Sequence, residues 1–126
     1  MSKKPAGKLI FSTLDPQKRR VEFYDDTWRH IKGGHSEVRG STTQHREVKG
    51  IQTIKSTVEA PLMITQDESR NSLTYADFTI SGKYFKVIAK IADKADVCVV
   101  STAYMTWNYP KGKVIWQRSK AKCRKF

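Results

Sequence analysis

At 126 residues the chain is long enough to bury one core and too short for two domains, so a single fold has to carry whatever the protein does. No stretch approaches the roughly 20 apolar residues that a helical membrane span needs, and the N-terminus (MSKKPAGK) lacks the apolar segment of a secretory signal, so a cytoplasmic protein is expected. Twenty-four Lys and Arg against 12 Asp and Glu leave a net charge of +12; with no amphipathic basic helix in view, that excess points to nucleic acid or an acidic protein rather than a membrane surface.

Residues 1–8 read as a flexible basic N-terminus, 9–118 as one domain and 119–126 as a basic C-terminal tail. Leu9 to Leu14 (LIFSTL) and Val21 to Tyr24 (VEFY) are short β-type runs. The segment DPQKRR between them opens on Asp-Pro, which predicts a hairpin with Lys18, Arg19 and Arg20 at its tip. Asp25 or Asp26 then suits the cap of a helix through Lys32, and Gly33-Gly34 suits its end. Within that helix Trp28 and Ile31, three apart, are expected to face the core, leaving Arg29 and His30 toward the surface.

The stretch from Thr27 to His35 (TWRHIKGGH) is the densest in groups able to move protons. His30 and His35 are five apart, which on an unbroken helix separates them by about 140°. The double glycine allows a turn that returns His35 to the side of the helix; the other reading leaves two unrelated surface histidines. Thr42 or Thr43 is expected to cap a second helix, His45 to Ser56, whose stripe of Val48, Ile51, Ile54 and Val58 has helical spacing. His45 lies off that stripe. Pro61 ends the helix.

The remainder alternates as strands do. Leu62 to Thr65 (LMIT), LTYADF from Leu73 and KYFKVIAKI from Lys83 are expected strands, the last with Tyr84, Lys86, Ile88 and Lys90 on one face and Phe85, Val87, Ala89 and Ile91 on the other. Val97 to Tyr104 (VCVVSTAY) is the most apolar run and the expected sheet centre, with Cys98 as a small buried hydrophobe. Val114 to Trp116 is a possible edge strand. The expected fold is α+β: an N-terminal hairpin and two helices packed on a twisted antiparallel sheet of four to five strands.

The succession WRHIKGGHSE, IQTIKSTVEAPLMI, LTYADF, FKVIAKI and VVSTAY resembles the phage and mobile-element nucleases of the barnase, EndoU, colicin and RelE-like superfamily. The likeness runs from about Val21 to Trp116, with Ser36 standing where that pattern has proline after its second histidine. It implies a barnase- or RelE-like fold and a metal-independent endoribonuclease, of toxin type, cleaving by 2′-hydroxyl attack to a cyclic phosphate. His30 and His35 are the expected base and acid, in an order left open, with Thr102 and Tyr104 completing the catalytic set. Arg29, Ser101, Lys86 and Arg118 are the expected substrate-binding groups. Glu37 either orients His35 or caps a helix.

No metal or other cofactor is expected, because His30, His35 and His45 lack the spacing of known metal sites and the carboxylates are not clustered. RNA is the expected substrate. Because a basic cytoplasmic ribonuclease endangers its host, an acidic antitoxin or immunity protein is the expected partner. The alternative is a non-catalytic RNA- or DNA-binding protein, which needs only the positive charge and the exposed-looking aromatics Trp107, Tyr109 and Trp116.

Overall fold

The computed structural model describes residues 7–34, 44–78, 82–92 and 97–118. Its strands are β1 (Leu9–Leu14), β2 (Arg20–Tyr24), β3 (Met63–Asp67), β4 (Ser72–Phe78), β5 (Tyr84–Ile91), β6 (Val97–Thr106) and β7 (Lys113–Gln117), and its helices are α1 (Asp25–Gly34) and α2 (Gln44–Glu59). His35, Ser36, Glu37, the expected caps Thr42 and Thr43, and the tail that holds Cys123 lie outside the described residues, as do the side chains of His45 and Val48.

All seven strands form one sheet in the order β1-β2-β6-β5-β4-β3-β7. Neighbours are antiparallel except β2 and β6, which run parallel through Arg20↔Val97, Val21↔Cys98 and Glu22↔Val99. This corrects the expected antiparallel sheet of four to five strands with a separate hairpin. The protein is mostly sheet, mixed in direction, with two helices among the described residues. The physical reason lies in the hairpin itself. Val21 and Phe23 are fully buried while Glu22 and Tyr24 point the other way, so β1 and β2 present one apolar face, and a lone two-stranded ribbon has nowhere to bury it. Docking β2 alongside β6 extends the apolar face of the main sheet. The central strand is consequently β5, and β6, the expected centre, lies beside it.

Both helices cover one face. α1 opens on Asp25 and Asp26, whose charge suits the positive end of the helix dipole, and it packs on β2 and β6. Trp28 and Ile31 enter the core, with Trp28 edge-on to Phe23 at 6.2 Å between ring centroids. α2 lies over β1, β4 and β5 and buries Ile54 and Val58. From the sheet this face receives Phe85, Val87 and Ala89 of β5, Leu73 and Tyr75 of β4, and Cys98, Val100 and Ala103 of β6. Burial pushes the Cys98 thiol up to about 11, which leaves it a structural hydrophobe rather than a nucleophile. No helix among the described residues is long and apolar enough to cross a membrane.

The hairpin turn is built on a buried carboxylate. Asp15 accepts hydrogen bonds from the backbone N–H groups of Gln17 and Arg19, from the Arg19 guanidinium at 3.1 Å, and from the Tyr75 hydroxyl at 2.6 Å. Arg19 is thereby committed to the fold, and Lys18 occupies the left-handed region at φ 70°.

Candidate functional site

Opposite the helices the sheet carries side chains but no third layer among the described residues, and there a groove of about 470 Å³ opens. Strand alternation supplies its floor: Thr74 from β4, Lys86, Ile88 and Lys90 from β5, and Thr102 and Tyr104 from β6 all point away from the core. Register sets them in rows, Thr74-Ile88-Thr102 beside Ala76-Lys86-Tyr104. A bulge falls between Val100 and Thr102, which pair with Ala89 and Ile88 and leave Ser101 over. The extra residue lets Ser101 and Thr102 both line the groove, where plain alternation would have sent one of them into the core. The Ser101 hydroxyl donates to the Ile88 carbonyl at 3.2 Å.

One wall is the segment from 107 to 112. Thr65 of β3 donates its hydroxyl to the Lys111 carbonyl at 2.8 Å. Gly112 follows at φ +105°, where a Cβ would stand 2.6 Å from the Gln66 carbonyl oxygen. Only glycine fits so close a backbone approach, and that approach places Lys111 over the groove. The opposite end is the β3-β4 turn, where Asp67 accepts from the backbone and hydroxyl of Ser69 and pairs with Arg70 at 3.8 Å. The Ser69 hydrogen bond holds the Asp67 carboxyl below the usual carboxylate range.

Four cations, Arg70, Lys86, Lys90 and Lys111, face the groove against one carboxylate, Asp67. Lys86 is the exceptional one, only 6% exposed and without a hydrogen-bond or ion-pair partner among the described residues. Burial lowers its pKa from the usual lysine value, and the nearby Lys111 lowers it further. In the neighbouring row, the Thr102 hydroxyl oxygen is buried with no hydrogen-bond partner among the described residues. An ammonium and a hydroxyl so placed are chemically suitable donors to an oxygen-rich anion.

Of the residues expected from sequence, the structure gathers Lys86, Ser101, Thr102 and Tyr104 in this groove. It does not bring Arg29, His30 or Arg118 to them. Arg29 and His30 lie on the exposed side of α1, on the helix-covered face of the sheet, and Arg29 is paired there with Asp26 and with Asp25 at 3.6 Å. Arg118 donates to the Ala60 carbonyl just past the end of α2 at 3.0 Å and lies 3.9 Å from Asp77. Sequence reasoning missed Arg70, Thr74, Asn108 and Lys111. Lys111 alone carried a local signal, the Pro-Lys-Gly turn, and even that fixes no face of the sheet. Among the described residues no group of three or more His, Cys, Asp or Glu side chains is placed to hold a metal ion. Comparison with protein-family models, with curated proteins and with solved structures finds no match to the chain.

Proposed function

We propose that the chain is a metal-independent endoribonuclease that seats an RNA phosphodiester in the open-face groove. The observation that carries this reading is Lys86, a residue only 6% exposed whose ammonium opens on the groove with no hydrogen-bond or ion-pair partner among the described residues. An isolated charge in such surroundings is costly unless an anion arrives to meet it, and phosphate brings both the charge and the acceptor oxygens. Lys111 and the Thr102 hydroxyl join Lys86 around the same space.

In this mechanism the RNA 2′-oxygen forms a bond to phosphorus and gives up its proton, and the bond from phosphorus to the 5′-oxygen breaks, leaving a 2′,3′-cyclic phosphate. Lys111 and Thr102 stabilise the charge that develops on the non-bridging oxygens. Lys86 gives its proton to the leaving 5′-oxygen, a task eased by its lowered pKa. Of the two histidines expected from sequence to share the base and acid roles in an open order, His35, outside the described residues, is taken as the base, and His30, on the helix-covered face, is released from either role. An acidic antitoxin or immunity protein remains the proposed partner, with the cationic groove as the surface it covers.

The test is cleavage of a labelled RNA by purified protein with chelator present, read as a product bearing a cyclic phosphate. Lys86→Met and His35→Ala are each expected to lose about 100-fold or more in rate, the scale of one proton transfer, while His30→Ala loses less than tenfold. A second reading, a nucleic-acid-binding protein without catalysis, is favoured by the separation of Arg29 and His30 from the groove. It prevails if wild-type protein binds RNA and yields no cyclic-phosphate product.

A further inference from the structure

Beyond the Lys86 row the open face changes character. The next row along the strands is Phe78-Tyr84-Thr106, set by the pairings Phe78↔Tyr84 and Tyr84↔Thr106. Tyr84 and Lys86 are two residues apart on one face, a separation of about 7 Å. Phe78 is 58% exposed, and its ring centroid lies 5.2 Å from that of Tyr84. Tyr109, 56% exposed, meets Tyr84 edge-on at 5.7 Å. Trp107, 66% exposed, carries the Lys83 ammonium 5.5 Å from its ring centroid. Asn108, between Trp107 and Tyr109 in sequence, lines the groove itself, so aromatic patch and groove are continuous.

We infer that Phe78, Tyr84 and Tyr109 form a stacking subsite for an unpaired base of a single RNA strand, next to the phosphate held at Lys86. The inference rests on the reading of the groove as a phosphate site and adds to it what lies on either side of the phosphate. Three features select a single strand over other occupants. Tyr109 stands edge-on to Tyr84 and Phe78 is tilted to it by 60°, so the three rings are not stacked face to face; exposed ring faces are what a nucleobase covers and an aliphatic side chain uses less well. The patch is flanked by cations, Lys86 and Lys111 on one side and Lys83 on the other, so its occupant carries negative charge at close intervals. A duplex satisfies the charge but keeps its bases stacked inside, out of reach of the rings.

The experiment measures binding of a fluorescent, uncleavable 2′-O-methyl oligonucleotide across a salt series, with inorganic polyphosphate as a competitor that has charge and no bases. The double variant Phe78→Ala, Tyr109→Ala is expected to weaken single-strand binding about 10-fold or more, the scale of one lost stack, with the salt slope and the polyphosphate affinity unchanged. Lys86→Met is expected to weaken both ligands and to reduce the salt slope by about one. Equal single-strand affinity in wild type and aromatic variant, or an equal loss toward polyphosphate, overturns the stacking subsite while leaving the groove reading intact. An aromatic loss accompanied by an inert Lys86→Met overturns the phosphate site instead. Self-association of the wild type that disappears in the aromatic variant, with RNA affinity unchanged, assigns the patch to a second copy of the chain and overturns the inference. Phe78→Leu guards against a merely structural loss, since it keeps apolar bulk and removes the ring face; it is expected to bind as weakly as Phe78→Ala.

Discussion

Asp15 and Lys86 are both charged residues at buried positions, 3% and 6% exposed, and they are treated in opposite ways. Asp15 receives four hydrogen bonds, from two backbone N–H groups, a guanidinium and a phenol. Lys86 donates none to the described residues and has a second lysine for a neighbour. One charge is closed by its own fold; the other is left open toward a groove. The contrast extends to the two faces of the sheet, since a covered face must satisfy its polar groups internally whereas an open face can leave that to a ligand. Burial alone does not mark a candidate site; what distinguishes Lys86 from Asp15 here is the count of partners.

Removing the satisfied charge should produce the largest effect. Asp15→Ala leaves Arg19, the Tyr75 hydroxyl and two backbone donors without their acceptor, and a cost of about 3 to 5 kcal/mol is expected in chemical denaturation. RNA affinity of the fraction that remains folded should match wild type. A loss under 1 kcal/mol would mean that the four bonds are not what holds the hairpin turn to β4.

Tyr75→Phe tests the same cluster more gently. The hydroxyl donates to a carboxylate, and burial together with that bond raises the phenol pKa well above its ordinary value. Its deletion is expected to cost about 1.5 to 3 kcal/mol without a change in groove chemistry. Gly112→Ala moves the test to the open face. The added Cβ meets the Gln66 carbonyl at a positive φ, so about 1 to 2 kcal/mol of stability is expected to go. Because the segment carrying Lys111 must shift, RNA affinity should fall with it. Lost stability with full affinity would show that Lys111 does not depend on that turn.

The elements themselves were legible in the chain. Alternation in KYFKVIAKI put Phe85, Val87 and Ala89 on one face and Lys86 on the other, and the structure makes the first of these the core face. The acidic pair marked the start of α1 at Asp25, whereas Gly33 and Gly34, expected to end it in a left-handed cap, are themselves helical residues. How the strands assemble was not legible, because period-two patterning gives each strand a face and no neighbour: nothing in VEFY shows that it will lie parallel to VCVV. The site suffered in the same way. VVSTAY and KYFK supplied Ser101, Thr102, Tyr104 and Lys86 to one groove, but sequence proximity of Trp28, Arg29 and His30 to a family motif could not reveal that α1 turns its polar side away from that groove. The bulge at Ser101 was invisible too, since an extra residue in one strand is defined only against its partner.

The smallest effect is the most discriminating, because its sign is unusual for a buried residue. Lys86→Met keeps the length of the side chain and removes a charge the fold does not satisfy, so a gain of about 1 kcal/mol in stability is expected. The pH dependence follows from the lowered pKa of Lys86 in the folded state. Over the range between that value and the ordinary lysine value, the unfolded chain binds more protons than the folded one, so stability attributable to Lys86 rises with pH there. Below the folded-state pKa the penalty is present in full and independent of pH. Wild type and Lys86→Met should therefore differ most at neutral pH and converge as pH rises through that interval, measured as paired denaturation curves. An anion bound beside the ammonium reverses the balance, since it favours the charged form. Inorganic polyphosphate should accordingly stabilise wild type more than the methionine variant, by an amount that shrinks as pH rises. If the variant is less stable than wild type at neutral pH, Lys86 is a satisfied structural charge like Asp15, and the distinction between the two faces fails at the residue on which the proposed function rests.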